Sequence, residues 1–307
     1  VTTYLLLGAS GFLGSQVHAA IEQSADAPTL IAVSRRPPRQ RMPPLGSWAQ
    51  MDLVGASVRD FVLLLEKSRP DAVINCVGAT SGSWHQLEAA NTSVVDKLVQ
   101  ALSLTESVPL IHMGSAAEYG RQPEGAGIAE SAPANPVGDY GRTKLAATKL
   151  ISDMVARGAI RATVLRVFNP VGPFCPSDSL AGTAVREIKR ALEVGRGSVI
   201  LGSLWAQRDF VASSDVATAA LRAVATVDRH PILNVGRGAA MSCRSMVELL
   251  AAAAGFEGDV LESPGGSSRS ATVPWQRADV TLLRQHLGWV PTTPIAAAVS
   301  ALWQTEV

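Results

Sequence analysis

Tyr140 and Lys144 stand four residues apart in Asp139-Tyr140-Gly141-Arg142-Thr143-Lys144. On a helix that spacing puts a phenol and an ammonium on one face, one turn apart. The cation favours phenolate and draws the tyrosine pKa down from about 10 toward working pH. Such a tyrosine can pass a proton to or from an alcohol or ketone oxygen while hydride moves at the carbon. A solvated helix face produces the same spacing by chance, so the pair gains meaning only beside a cofactor site.

Gly8-Ala9-Ser10-Gly11-Phe12-Leu13-Gly14 provides the pattern of one, directly after the apolar run Tyr4-Leu5-Leu6-Leu7. A buried strand, a glycine turn and a helix form the context that a dinucleotide fingerprint requires. Gly8 allows the tight turn, Gly11 lets the backbone approach a pyrophosphate, and Gly14 lets the helix pack closely on the sheet. The N–H groups that open the helix, from Phe12 to Ser15, then face the phosphates. The glycine spacing is three and three, not the more familiar Gly-x-Gly-x-x-Gly, and taken alone it also fits a structural turn.

The elements that must position these groups alternate along the chain. Leu30 to Val33 reads as a strand, followed by a Pro/Arg-rich loop from Arg35 to Pro44. Ala72 to Val77 is the next clear strand, with a helix over about Leu87 to Leu104. Pro109 to Gly114 is a strand ending at Ser115, a helix carries Tyr140 and Lys144 on to about Val155, and Ala162 to Val167 is a strand again. This rhythm predicts an α/β protein with a doubly wound parallel sheet. Ligands of such sheets bind beyond the carboxyl ends of the strands, where Gly8, Ser115 and Asn169 fall. Past Asn169 the prolines loosen the rhythm before a helix at about Leu180 to Val194. Arg208 to Val211 and a helix from Asp215 to Ala225 are expected to return to the sheet. Residues 1–168, completed by about 208–236, then form a dinucleotide-binding domain. Residues 169–207 and 237–307 form a smaller substrate-binding lobe.

At 307 residues, 47% of them hydrophobic, the chain is long enough for such a sheet and a lobe. A net charge of +1 gives no reason to expect a nucleic-acid surface or a polybasic membrane anchor. Cys76, Cys175 and Cys243 are scattered, and His18, His85, His112, His230 and His286 form no cluster, so no metal site is expected. Sparse cysteines fit a reducing cytoplasm. The opening residues read as a strand and not as a signal peptide, and no apolar run reaches the roughly 20 residues that span a bilayer. The expectation is a soluble cytoplasmic protein.

With these pieces in place, the sequence resembles the extended short-chain dehydrogenase/reductase family in its nucleotide-sugar branch. The likeness covers nearly the whole chain. It rests on the Gly8/Gly11/Gly14 loop, Asp52-Leu53, Asn91, the run Gly114 to Gly120, Tyr140 with Lys144, the run Val167 to Pro173, and Arg208 to Val211. Arg269 with Val273-Pro274, and Leu287 to Pro291, extend it toward the C-terminus. The match is to reductases of nucleotide-linked 4-keto-6-deoxyhexoses and, more distantly, to UDP-glucose 4-epimerases.

The resemblance implies a Rossmann sheet and a set of roles. Ser115 hydrogen-bonds the reacting sugar oxygen, Tyr140 is the proton donor, and Lys144 binds the nicotinamide ribose and tunes Tyr140. Asn91 holds a water or a backbone link behind the lysine. Gly8, Ser10, Gly11, Phe12, Leu13, Gly14, Ser34, Arg35, Arg36, Asp52 and Leu53 line the cofactor. Arg208 and Arg269 clamp the pyrophosphate of the sugar nucleotide, for which a guanidinium fork is suited, and Asn169 contacts the phosphates or the sugar. Plainer readings stand beside these. Ser115 and Asn91 can be helix caps, and Arg208 with Asp209 can be a surface ion pair. Trp84, Trp205 and Trp275 read as packing residues, and Glu118 and Tyr119 as structural ones.

Ser34-Arg35-Arg36 follows the second strand, and no Asp or Glu occurs between Val33 and Gln40. A carboxylate here would bind the ribose 2′-hydroxyl of NAD, whereas arginine accommodates a 2′-phosphate, so NADP(H) is preferred and NAD(H) kept possible. The plain alternative is that Arg35 and Arg36 are solvated charges. Ala116 and Ala117 follow Ser115 where related dehydratases carry acidic groups, which argues against dehydration and leaves reduction or epimerisation. The expected reaction is NADPH-dependent reduction of the keto group, at C4, of a nucleotide-linked 6-deoxyhexose. The alternatives are an NAD-dependent 4-epimerase and a non-catalytic dinucleotide sensor. Aliphatic residues on several faces of the helices at 87–104 and 140–155, among them Val94, Val95, Leu98, Leu145, Leu150 and Ile151, suggest a homodimer.

Overall fold

The apolar runs become strands because helices cover them on both sides. The computed structural model describes residues 2–40, 42, 46–106, 108–227, 231–263 and 273–306. Within them β1 (Thr3–Leu7), β2 (Thr29–Ser34), β3 (Ser47–Gln50), β4 (Ala72–Asn75), β5 (Leu110–Ser115) and β6 (Ala162–Val167) join β11 (Ile232–Val235) in one seven-stranded sheet. Its order is β11-β6-β5-β4-β1-β2-β3, with every pairing parallel. The order reverses between β1 and β4, and a crevice opens at their carboxyl ends. Every residue of β4, β5 and β6 is buried, as expected for strands covered on both faces. The expected doubly wound sheet is present.

The pleat sends Leu6 to one face and Leu5 and Leu7 to the other. On the Leu6 side lie α1 (Phe12–Glu22) and α7 (Ser213–Val224), joined by Leu283 and Leu287 of the helix Thr281–Leu287. On the opposite side lie α2 (Val58–Ser68), α4 (Val94–Ser103) and α5 (Asp139–Ala156). A separate core forms around α6 (Leu180–Glu193), β8 (Ser198–Leu201), α8 (Cys243–Ala253) and the helix Ile295–Glu306, where Ile188, Val199, Leu250 and Val299 are fully buried. Phe12, at the start of α1, packs against this second core. The glycine loop therefore lies where the two cores meet.

Two sequence expectations change. The helix expected over 87–104 is α3 (Trp84–Glu88), a π-helical turn (Ala89–Ser93) and then α4, so Asn91 sits in a widened turn. Arg208 to Val211 does not rejoin the large sheet. It divides into β9 (Gln207–Asp209) and β10 (Val211–Ala212), and β9 pairs antiparallel with β12 (Ala240–Ser242) and parallel with β14 (Trp275–Gln276). The strand that returns to the large sheet is β11. Asp209 is buried, and the N–H groups that satisfy it come from Arg237, Gly238 and Ala278, which flank β12 and β14. Of the aliphatic residues on the helices at 87–104 and 140–155, Val94, Val95, Leu98, Leu145 and Ile151 are buried within the single chain and Leu150 is half-buried. Among the described residues, no helix is long and apolar enough to cross a membrane.

Candidate active site

The glycine loop has the shape its spacing suggests. Gly8 has φ +80 and its N–H bonds Val33 O at 2.8 Å, turning the chain sharply off β1. A Cβ on Gly14 would lie 2.1 Å from Gly8 O, so any side chain there would push α1 off the loop. α1 starts from Gly11 with no side-chain cap and no acidic residue in its first turn, whereas α2 and α3 are capped by Ser57 and Ser83. Its first N–H groups are thus left for an anion, as a dinucleotide diphosphate requires. The residues present fit such a cofactor. Ser10 sits in the turn, and Leu13 packs into the sheet's core.

Beyond β2, Arg35 and Arg36 are both exposed, with nothing acidic following them before Gln40. Ser34 is different. Its hydroxyl donates to Arg36 O at 2.5 Å and accepts from Trp48 Nε1 at 3.1 Å, so it is committed to shaping the loop. Past β3, Asp52 is exposed and its carboxylate accepts from Val54 N at 3.3 Å, while Leu53 is buried in the core under α2.

At the end of β5, Ser115 N donates to Glu118 Oε1 at 2.8 Å and Ser115 Oγ accepts from Ala117 N at 3.2 Å. This reciprocal capping box fixes the serine at the mouth of the crevice. Ser115 is thus a cap as well as a candidate site residue. Glu118 is buried. Burial pushes its carboxyl up, and the Arg166 guanidinium at 2.8 Å pulls against that. Arg166 also stacks on Tyr119, 4.5 Å from the ring centre, and Tyr119 Oη donates to Asn234 Oδ1 at 2.6 Å. The structural reading of Glu118 and Tyr119 fits these contacts.

α5 approaches this turn closely because its second residue after the cap's neighbour is glycine: a Cβ on Gly141 would lie 2.5 Å from Ala117 O. The first turn of α5, which bears Tyr140, is thereby brought against the turn that follows Ser115. Lys144, one turn on, is buried and donates from Nζ to Met113 O, with His112 Nε2 3.5 Å away. Burial pushes Lys144 down to about 8, opposed by Glu118 and Cys76. Asn91 clamps the main chain behind it. Oδ1 accepts from Ala79 N at 2.9 Å, and Nδ2 donates to Ala79 O and to Thr143 Oγ1, both at 3.0 Å. These bonds, not helix capping, use its side chain. Gly78 adjoins both groups: a Cβ there would lie 2.9 Å from Asn91 Oδ1 and 4.0 Å from Lys144 Nζ.

Arg208 and Asp209 are both buried and do not form the surface ion pair of the plainer reading. Arg208 donates to Gln207 O at 2.8 Å and Val273 O at 2.6 Å, and burial lowers its pKa. Asp209 accepts from Arg237 N at 2.8 Å, Gly238 N at 2.9 Å and Ala278 N at 3.1 Å, and burial raises it to about 6. Asn169, with φ +25, donates from Nδ2 to Asp209 O at 3.1 Å, tying the end of β6 to β9. Arg269 lies outside the described residues. Trp84 and Trp205 are exposed, not packed, whereas Trp275 donates to Ala126 O at 2.8 Å.

Sequence reasoning missed Asn75, His112, Gly141 and Arg166. Only Gly141 carried a local signal, as a glycine inside the helix that bears the tyrosine.

The glycine loop thus follows β1 at the switch point of the parallel sheet, and Ser115 ends β5, two strands away. The model of the NAD dependent epimerase/dehydratase family matches residues 4–236. The chain belongs to this family. It is 34% identical to a dTDP-6-deoxy-L-talose 4-dehydrogenase (NAD(P)(+)) of Kitasatospora kifunensis, over 98% of this chain and 94% of that one. It is 26% identical to a UDP-glucose 4-epimerase of Corynebacterium glutamicum, over 97% of this chain and 94% of that one. Among solved structures, RMD from Pseudomonas aeruginosa complexed with NADPH superposes with a TM-score of 0.83 at 24% identity, covering 99% of this chain and 98% of that one. The fold is therefore shared. The protein is an NAD(P)-dependent enzyme of the oxidoreductase type, in a family that acts on nucleotide sugars.

Proposed function

We propose that this enzyme reduces the keto group, at C4, of a nucleotide-linked 4-keto-6-deoxyhexose with NADPH. The observation that carries the reading is the Ser115 turn: α5, the helix that bears Tyr140 and Lys144, packs against it, and the two residues after the serine are Ala116 and Ala117, which can neither donate nor accept a proton. Removal of water from a sugar has no acid or base there, whereas reduction needs only one proton donor. The relative whose name specifies redox chemistry at C4 of a deoxyhexose supports the choice of carbon and substrate class.

The glycine loop from Gly8 to Gly14 and the first turn of α1 would hold the diphosphate, and Arg35 and Arg36 the 2′-phosphate. A nicotinamide cofactor held there would supply hydride to the carbonyl carbon. Tyr140 gives its proton to the carbonyl oxygen. Ser115 Oγ hydrogen-bonds the same oxygen, held in place by the Glu118 box. Arg208 and Arg269 would bind the substrate diphosphate, with Asn169 contacting the phosphates or the sugar. The lobe would comprise 169–207 and 237–307, and the resemblance supports a cytoplasmic homodimer through α4 and α5.

A 4-epimerase with retained NAD is the second reading, supported by the relative of that name. Purified protein mixed with NADPH and a panel of NDP-4-keto sugars should consume nicotinamide absorbance with at least one of them. Interconversion of UDP-hexose C4 isomers, with no consumption of added cofactor, would replace the first reading by the second.

A further inference from the structure

His112 is fully buried next to Lys144, and the mechanism above does not use it. Its hydrogen bonds fix where its proton sits. Asn75 Oδ1 accepts from Val77 N at 3.0 Å, which turns Asn75 Nδ2 toward His112 Nδ1 at 3.1 Å. An amide NH2 only donates, so Nδ1 must accept, and the proton of a neutral ring is on Nε2. Burial, with Lys144 as neighbour, lowers the His112 pKa well below its ordinary value and keeps the ring neutral. Nε2–H therefore faces Lys144 Nζ at 3.5 Å. An ammonium has no lone pair and would oppose that N–H, whereas an uncharged amine can accept from it while still donating to Met113 O.

The other groups around the lysine do not reverse this. From the turn after β5, Glu118 pulls toward the cation, but its oxygens are taken by Arg166 and Ser115 N. From the end of β4, Cys76 is pushed up to about 12 by burial and stays an uncharged thiol. Tyr140 lies one turn back on the same helix, and Asp139 and Arg142 are exposed and bonded to each other.

We infer that His112 is a positioning residue: held by Asn75 with Nε2–H toward Lys144, it weakens the lysine's hold on its proton while the cofactor site is empty, so that in mildly alkaline solution, where the empty site leaves an uncharged amine, dinucleotide binding takes up a proton from solvent at Nζ. The inference rests on the reading that Lys144 serves a dinucleotide. The anionic cofactor favours the ammonium, which then leaves the face of His112.

Nitrogen NMR of histidine-labelled, cofactor-free protein at neutral pH should show His112 protonated on Nε2 only. Carbon NMR at Lys144 Cε should give a midpoint that rises by about one pH unit or more in His112→Phe. Calorimetry of NADPH binding in two buffers of different ionisation heat should show proton uptake above pH 8, reduced at least about threefold in His112→Phe. A proton on Nδ1, or a Lys144 midpoint equal in both proteins, overturns the inference, as does NADPH binding without proton uptake. Failure of NADPH to bind would sink the cofactor reading instead, while the two NMR measurements still decide the role of His112. If His112→Phe does not fold, the tautomer and the wild-type proton uptake decide it.

Discussion

Glu118 and Arg166 form an ion pair sealed from solvent, 2.8 Å between Oε2 and Nε, with side chains 0% and 4% exposed. The pair joins adjacent strand ends, β5 and β6, and its second carboxylate oxygen holds the main chain of Ser115. A buried pair of this kind adds little net stability, because desolvation offsets the attraction. Its value is positional: it fixes the serine at the crevice.

Glu118→Gln should therefore cost about 3–5 kcal/mol in a denaturant melt, since it leaves the Arg166 charge buried without its counter-ion. Combining Glu118→Leu with Arg166→Met should recover much of that stability, yet turnover should stay low because Ser115 N loses its acceptor. Full turnover in the double variant would show that the anchor does not position the serine.

Tyr140→Phe should lower turnover by about 100-fold or more while NADPH affinity persists, because it deletes the proton donor and leaves the glycine loop intact. Stopped-flow reduction and fluorescence titration separate the two effects. Near-normal turnover would remove Tyr140 from the mechanism.

The parts legible in sequence are those whose signal is local. β1, β4, β5 and β6 announce themselves as apolar runs, and the Gly8/Gly11/Gly14 spacing sits between a strand and a helix. β3 escapes because Ser47-Trp48-Ala49-Gln50 is an edge strand with polar ends and no apolar run. The π-turn at Asn91 escapes because the partners of its side chain, Ala79 and Thr143, lie outside that helix. Arg208 to Val211 misleads because its apolar tail resembles a core strand, while the N–H partners of Asp209 come from Arg237, Gly238 and Ala278, far along the chain. Asn75, His112 and Lys144 meet only because the sheet order sets β4 beside β5 and α5 packs over that junction. No spacing rule encodes such a meeting.

Arg35→Ala should weaken NADPH binding far more than NADH binding, by about 1.5–3 kcal/mol, through loss of a charge-assisted contact to the 2′-phosphate. Arg35 is exposed, so the fold should be unaffected. Equal affinity of the native protein for both cofactors would reject the assignment and favour the epimerase reading.

Arg208→Ala should raise KM for the nucleotide sugar at least about tenfold while NADPH affinity changes little, because β9 lies outside the cofactor-binding sheet. It also frees Val273 O, so a loss of stability on the order of 1–3 kcal/mol is expected. Arg208→Lys controls for this: it keeps a charge and a donor but not the fork, and should recover stability more than KM. Undiminished activity of Arg208→Ala on a ketone without a nucleotide would reject the sugar-nucleotide substrate.

Lys144 makes a prediction about stability and pH. Burial lowers it from an ordinary 10.5 to about 8 in the folded protein, with Glu118 and Cys76 opposing. Below about pH 8 both folded and unfolded chains carry the proton, and the cost of burying the charge is present in full. Between about 8 and 10.5 the unfolded chain binds more protons, so the cost fades and stability rises with pH. Lys144→Met lacks this contribution. The unfolding free energy of the cofactor-free wild type minus that of Lys144→Met should therefore grow across that window, by on the order of 3 kcal/mol at about 1.4 kcal/mol per pKa unit. Subtracting the variant cancels the alkaline titration of other groups. A difference that is flat with pH would mean that the folded lysine keeps its ordinary affinity for the proton, and with it that burial against Met113 O and His112 does not set its charge.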